Sequence, residues 1–177
     1  MAAGAGHRFG GPKALALTDG VPWVVRTVDV VRDAGVDPVL VVVGAAAIEV
    51  CAVLPAWVTV VRHEGWASGM GGSLRAGLSA AADLPVSVTA VVVMLVDLPG
   101  VTSSMLRTLV GVPGELLQAS FGGAPGHPVL LGRAHWDRVA AAAHGDSGAR
   151  EYLREHQARR VPLGSAAAGA DVDIPGR

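Results

Sequence analysis

Residues 2–13 read AAGAGHRFGGPK, and the reading of this stretch decides the fold. Gly4, Gly6, Gly10 and Gly11 permit a backbone path that turns several N–H groups toward one point, an anion nest. Arg8 and Lys13 can place two fixed positive charges over the same point. A guanidinium suits bidentate phosphate recognition, and an ammonium supplies a compact charge. Glycines alone signal little, because turns use them for steric reasons. Glycines joined to Arg8 and to the Pro12-Lys13 pair are far more selective. The stretch is not a P-loop, which needs Gly-Lys-Ser/Thr together. Nor is it a dinucleotide fingerprint, since no acidic residue closes an obvious second strand to hold a ribose.

The remainder of the chain bounds what such a loop can serve. The 177 residues suit one domain with a real core. With 14 basic and 15 acidic residues there is no broad electrostatic footprint for nucleic acid or an anionic membrane. Any bound anion must therefore be held locally. The single Cys51 excludes an intrachain disulfide, suits a reducing cytosol and reads as a small buried hydrophobe. The start of the chain carries glycines and charge where a signal peptide needs an apolar stretch. The apolar runs at 38–48 and 88–96 are too short to span a bilayer. These features predict a cytoplasmic protein.

Three Val/Leu-rich runs without alternation, 39–43, 58–61 and 88–96, have the pattern of strands covered on both faces. Between them the spacing predicts helices over 22–34, 70–82 and 102–110, the last opened by a capping Thr102. This alternation predicts an α/β domain with a mixed, mostly parallel sheet. Farther on, 116–121 and 128–131 flank a glycine-rich bend, predicting a hairpin. Short helices are expected over 133–143 and 147–156, and the Gly/Ala/Ser-rich 164–169 reads as a loose loop.

Asp97 directly follows the most apolar strand. Carboxylates at strand carboxyl ends sit where α/β proteins bind ligands. The natural task of such an aspartate is Mg²⁺, a hard cation that takes one or two carboxylates plus phosphate oxygens. The competing reading makes Asp97 a cap for the next helix, with Thr102 as rival for that place. His127, Asp146 and Arg150 also carry a competing structural reading, with Asp146 as a helix N-cap and Arg150 as an intrahelical residue. Trp23, Trp57 and Trp136 read as packing residues, whereas Trp66 lies close in sequence to the segment expected near a base.

The glycine loop closely resembles the LAAGxGxRxGxxK signature of nucleotidyltransferases with a glycosyltransferase-A-like fold, with Met1 where that family has Leu. Four further stretches resemble the molybdenum cofactor cytidylyltransferase-like branch. They are WASGMGGSLRAG at 66–77, VDLPGVT at 96–102, GHPVL at 126–130 and GDSGAR at 145–150. With DVDIP at 171–175 the resemblance spans nearly the whole chain in order. It implies a single Rossmann-like domain over 1–177, with 1–100 as nucleotide-binding half and 101–177 as acceptor-binding half.

The resemblance also implies roles. Ala2, Ala3, Gly4, Gly6, Arg8 and Lys13 would bind the triphosphate, and Gly69 to Ser73 would approach base and ribose. Arg8, Lys13 and Asp97 would be the catalytic set, and Mg²⁺ would lie between Asp97 and Asp173, with Asp171 as substitute. His127, Asp146 and Arg150 would face the acceptor. The implied donor is CTP and the implied acceptor is the terminal phosphate of molybdopterin, with a molybdoenzyme or its maturation chaperone as partner. A phosphate nucleophile is already anionic, so no general base is required, and no Ser/His/Asp arrangement is expected.

The chain departs from the pattern at Ile174, where relatives carry Thr, at Gly72, where many carry Ser, and at His63, often Asn. Rival readings are a guanylyltransferase for a phosphorylated small acid, a sugar-phosphate nucleotidyltransferase, and an impaired nucleotide- or cofactor-binding paralogue. In the resembled fold a buried central strand precedes the glycine loop, and here that strand is truncated. Its neighbours are expected to show unpaired backbone groups and an apolar slot, and the native start is expected upstream of Met1.

Overall fold

In a computed structural model of the chain, residues 1–7 and 9–172 are described. After the glycine loop, β1 (Leu17–Thr18) and β2 (Val21–Pro22) form a small antiparallel hairpin. Its turn is Asp19-Gly20, both at positive φ, as a tight hairpin requires. Helix α1 (Trp23–Asp33) follows Pro22 and ends before Gly35, whose φ of 80° suits a helix stop.

The valine runs then form strands, as β-branched side chains favour on a pleated surface. β3 (Leu40–Val43) and β4 (Thr59–Arg62) pair in parallel, with α2 (Ala47–Val53) between them. Helix α3 (Met70–Ala82) leads to β5 (Ala90–Val93) and α4 (Ser103–Val110). The last third supplies β6 (Leu116–Phe121), β7 (Ala124–Gly132), α5 (Trp136–Ala142), α6 (Arg150–Glu155) and β8 (Arg159–Gly164). The order β5-β7-β6-β8 makes a mixed four-stranded sheet, antiparallel except for the β6/β8 pair.

The α/β class and the main helices follow the sequence reading. The antiparallel share is larger than the unbroken valine runs suggest, because β5 and β6 both pair with the returning arm of the hairpin. β8 was not anticipated, and 166–169 forms a 3-10 turn rather than a loose loop. Leu74, Leu78, Val139 and Leu153 from α3, α5 and α6 pack on Val129 and Leu131 of β7. A separate cluster joins Val24 and Val28 of α1 to Val41 and Val43 of β3. No helix among the described residues is long and apolar enough to cross a membrane.

Between β3 and β5 lies a narrow cavity of about 140 Å³. Residues 39–42 and 90–94 form two of its sides, while Val24 and Val28 of α1 and Leu74 and Leu78 of α3 close the others. β4 uses the carbonyls of Val39 and Val43, at 3.0 and 2.9 Å. By alternation along a parallel strand, Leu40 and Val42 turn their backbone groups to the cavity. The Val42 carbonyl there accepts from Ala2 N at 2.9 Å. On β5, Thr89 bonds Arg133 N, so Ala90, Val92 and Met94 face the same gap. The Met94 carbonyl accepts from the Met1 amino group at 2.6 Å. Met1 and Ala2 thus bridge both sheets at one end, with Ala2 parallel to Val43. The expected unpaired edges and apolar slot are present in the fold.

An apolar five-residue segment fused ahead of Met1 should enter this slot, pair with both edges and raise the melting temperature. Each kcal/mol gained is worth about 2–4 °C at this chain length. An Asp-rich segment of equal length should give no rise; equal melting temperatures for the two fusions, by scanning calorimetry, would reject the slot as a strand site.

Candidate active site

The glycine loop crosses the carboxyl end of β3 because Ala2 N and Ala3 O are both tied there, the latter accepting from Ala45 N at 3.0 Å. The loop then winds around one of its own carbonyls. The N–H groups of Phe9, Gly10 and Gly11 donate to Gly6 O at 2.9, 3.0 and 3.1 Å. These donors, expected to face an anion, are turned inward, and the loop surface is left to residues 4–7. Gly6 is required there: its φ is +64°, and a Cβ would lie 1.8 Å from Gly11 O.

Behind the loop a 3-10 turn (Lys13–Leu15) delivers Lys13 to Asp97, with Nζ 2.8 Å from Oδ2. Their side chains are 17% and 18% exposed, so the pair sits in a partly desolvated setting yet touches the cavity. Asp97 stands four residues beyond the end of β5. It is not the helix cap: Thr102 Oγ1 accepts from Met105 N at 3.3 Å and opens α4. Val172 N donates to Asp97 O at 3.1 Å, which brings the segment at 171–172 to Asp97, and Asp171 lines the same cavity. Arg8 and Asp173 lie outside the described residues.

That cavity measures about 780 Å³. This is near the upper end of ordinary small-molecule sites and gives room for a nucleotide beside a second substrate. It brings together Ala2, Ala3, Gly4, Gly6, Lys13, Gly69, Ser73, Asp97, His127, Asp146, Arg150 and Asp171, whereas Gly10 and Gly11 of the expected nest and Gly71 and Gly72 of the 69–73 segment do not line it. Trp66 lines it too, whereas Trp23 and Trp136 are buried and their indole N–H groups bond Thr18 Oγ1 and Leu131 O. Trp57 packs beneath the Arg32 guanidinium.

At the start of α3, Gly69 has φ +100° and a Cβ there would lie 2.5 Å from Gly145 O, so the backbone of 145–146 presses directly on that helix. Gly71 N donates to Gly145 O at 2.7 Å. The two departures from the family pattern prove sterically linked. A Cβ on Gly72 would lie 2.7 Å from His63 Nε2 and 2.6 Å from Ser68 Oγ. His63 occupies the space that a larger residue at 72 would need, and its Nε2 is buried without a hydrogen-bond partner.

On the sheet that floors the cavity, Gln118 pairs with Val129 but Ser120 pairs with Pro125. Ala119 therefore opposes Gly126, His127 and Pro128, a bulge that pushes His127 out of the ladder and into the cavity. The Val93 carbonyl can only accept, so His127 Nδ1 donates to it at 3.3 Å and the neutral ring turns Nε2 into an acceptor. Desolvation holds the pKa of His127 below its ordinary value, although the Val93 bond opposes the shift. Arg150 is the exposed first residue of α6, and neither it nor Asp146 caps a helix through its side chain. Gln118, on β6, lines the cavity and was missed from sequence. Its signal was a lone amide following the Leu116-Leu117 pair in a short, mainly apolar strand.

The donor set suits a hard divalent cation. Asp97 offers a carboxylate at the cavity wall, Asp171 offers a second on the tethered segment, and both supply oxygen only. Among the described residues no cluster of three or more His, Cys, Asp or Glu is present. Mg²⁺ with a triphosphate does not demand one, since phosphate oxygens and water complete its shell.

Cations and glycines gathered beyond strand carboxyl ends mark a nucleotide-handling α/β domain. Solved structures share its fold. Rv0371c of Mycobacterium tuberculosis H37Rv is 30% identical, with a TM-score of 0.82 over 98% of this chain and 89% of that one. Its complex with manganese aligns at 27% identity and TM-score 0.74, covering 93% and 85%. A nucleotidyl transferase from Methanothermobacter thermautotroptrophicus, 23% identical, reaches 0.81 over 98% and 89%. Among curated proteins, nicotine blue oxidoreductase of Paenarthrobacter nicotinovorans is 35% identical over 187 residues, 98% of this chain and 89% of that protein. The MobA-like NTP transferase domain matches residues 1–161, and the chain belongs to that nucleotidyltransferase family.

Two outcomes follow from this geometry. Gly72→Ala should cost about 1–3 kcal/mol by overpacking against His63, and His63→Asn should recover part of that loss. Strict additivity in urea unfolding of the single and double variants would show the two sites uncoupled. His127 should make stability fall as pH drops below about 6.5, because the unfolded chain takes up a proton there that the folded site resists. The slope is at most about 1.4 kcal/mol per pH unit, and it ends below the folded pKa. Subtracting the unfolding profile of His127→Gln from that of the parent between pH 8 and 5 isolates this contribution; superimposable profiles would contradict it.

Proposed function

We propose that the protein transfers CMP from CTP to the terminal phosphate of a molybdopterin-type acceptor and releases pyrophosphate. The observation that carries this reading is the Lys13–Asp97 pair at the wall of a cavity large enough for both substrates. An acceptor phosphate oxygen forms the new bond to the α-phosphorus. The α–β bridging P–O bond breaks, and its electron pair leaves with pyrophosphate. The nucleophile carries its negative charge from the start, so no residue need remove a proton.

Catalysis then rests on alignment and charge. Residues 4–7 and Lys13 hold the β- and γ-phosphates, and Lys13 stabilises the charge that collects on the departing pyrophosphate. The ion pair with Asp97 fixes the ammonium before substrate arrives, so little reorganisation is needed. Asp97, with Asp173 or Asp171, would hold Mg²⁺, which when bound supplies a hard positive charge to phosphate oxygens. Ser73 and the close backbone at Gly69 border the base, and Arg150 at the rim is suited to an acceptor phosphate. A reducing cytosol, where molybdoenzymes receive their cofactor, is the setting this reading requires.

A second reading is favoured by one observation, the oxidoreductase name of the 35% identical relative. There the same cavity would hold a redox-active ring, and a reduced nicotinamide serves as the probe for its reductant.

Pyrophosphate release should require CTP, Mg²⁺ and acceptor together, and should fall with each omission. Consumption of a reduced nicotinamide without any release of pyrophosphate would decide for the second reading. Lys13→Ala should lose roughly 2–4 kcal/mol of transition-state stabilisation, seen chiefly in kcat; turnover equal to the parent would remove Lys13 from the mechanism.

A further inference from the structure

We propose that Gln118 is a specificity-determining residue that, beside His127, reads the edge of a flat, lactam-type ring on the acceptor. This rests on the transferase reading above and adds to it the part of the acceptor that does not react. Gln118 lies on the cavity-facing side of β6, in register with Val129. The surrounding floor is apolar, built by Val129, Leu131, Leu74 and Leu153. Its side chain is half-buried and opens on the cavity, and among the described residues its amide makes no hydrogen bond within the protein. Both edges of the amide are therefore left for a ligand. A polar group that breaks the local pattern without structural gain marks a functional site.

The neighbouring groups narrow the ligand. His127 is aimed into the cavity by the β7 bulge, and its Nδ1 is committed to Val93 O. Its Nε2 therefore offers one acceptor, and Gln118 offers one donor edge and one acceptor edge. An apolar floor favours the face of a flat ring, and the two side chains favour a rim carrying both N–H and C=O. A fused lactam heterocycle meets all three demands. A simple polyol meets only the polar ones, and a hydrocarbon only the floor.

The test uses the full chain and two probes, a hydroxymethylpterin phosphate and glycerol phosphate, titrated calorimetrically in the presence of CTP and Mg²⁺. The parent should bind the pterin probe more tightly than glycerol phosphate. Gln118→Met should weaken the pterin probe by on the order of ten-fold, leave glycerol phosphate and CTP unchanged, and leave the melting temperature equal or higher. Gln118→Asn, which keeps the amide, should recover part of the loss. Unchanged pterin binding in Gln118→Met, or equal weakening of both probes, overturns the inference. Pyrophosphate release by the parent with the authentic acceptor is scored separately. Its absence defeats the transferase reading while the binding result still decides the role of Gln118.

Discussion

Lys13 and Asp97 are 84 residues apart in sequence and 2.8 Å apart in space, and the site is assembled around that contact. The ammonium belongs to the segment that follows the glycine loop, the carboxylate to the segment that follows β5. Joining them closes the loop over the sheet end and leaves residues 4–7 as its exposed lip. Val172 N then bonds the Asp97 backbone at 3.1 Å, so a third segment is drawn to the same point. Neither charge is far from water, and the pair is better seen as a fixed electrostatic frame than as a large source of stability. Its value lies in setting position before any triphosphate is present.

A second constraint shapes the opposite wall. Gly69 and Gly71 let the backbone of 143–146 lie directly on the first turn of α3, with Gly71 N bonded to Gly145 O. Arg75 donates to the Ala143 carbonyl from the next turn. The 69–73 segment and the 143–146 segment are therefore parts of one wall. A side chain at either glycine would separate them. The bulge opposite Ala119 completes the enclosure by turning His127 inward.

The gap between β3 and β5 sets the fold apart from a continuous sheet. Main-chain groups of Leu40, Ala90 and Val92 face an apolar space there, and among the described residues Met1 and Ala2 bridge it. The site at the mouth of the gap is nevertheless assembled, because its contacts run through loops beyond the strand ends rather than through pairing of β3 with β5. Geometry of the site and continuity of the sheet are separable in this molecule.

The amino-acid sequence determined the α/β class, the course of α3 and α4, and which motifs meet at the cavity. Valine runs, a capping Thr102 and local glycine spacing carry their information over a few residues, where propensity and sterics act. Motifs at 2–13, 66–77, 96–102, 126–130 and 145–150 marked the groups that would meet, with Gln118 as the omission. Only the tertiary structure decided which N–H groups of the loop stay outward, since Gly6 O captures three of them through a fold-back that spacing does not encode. It alone showed that His63 and Gly72 share one volume, and that β7 gains extra residues opposite Ala119. These are matters of contact between distant segments, and close packing, not local preference, settles them.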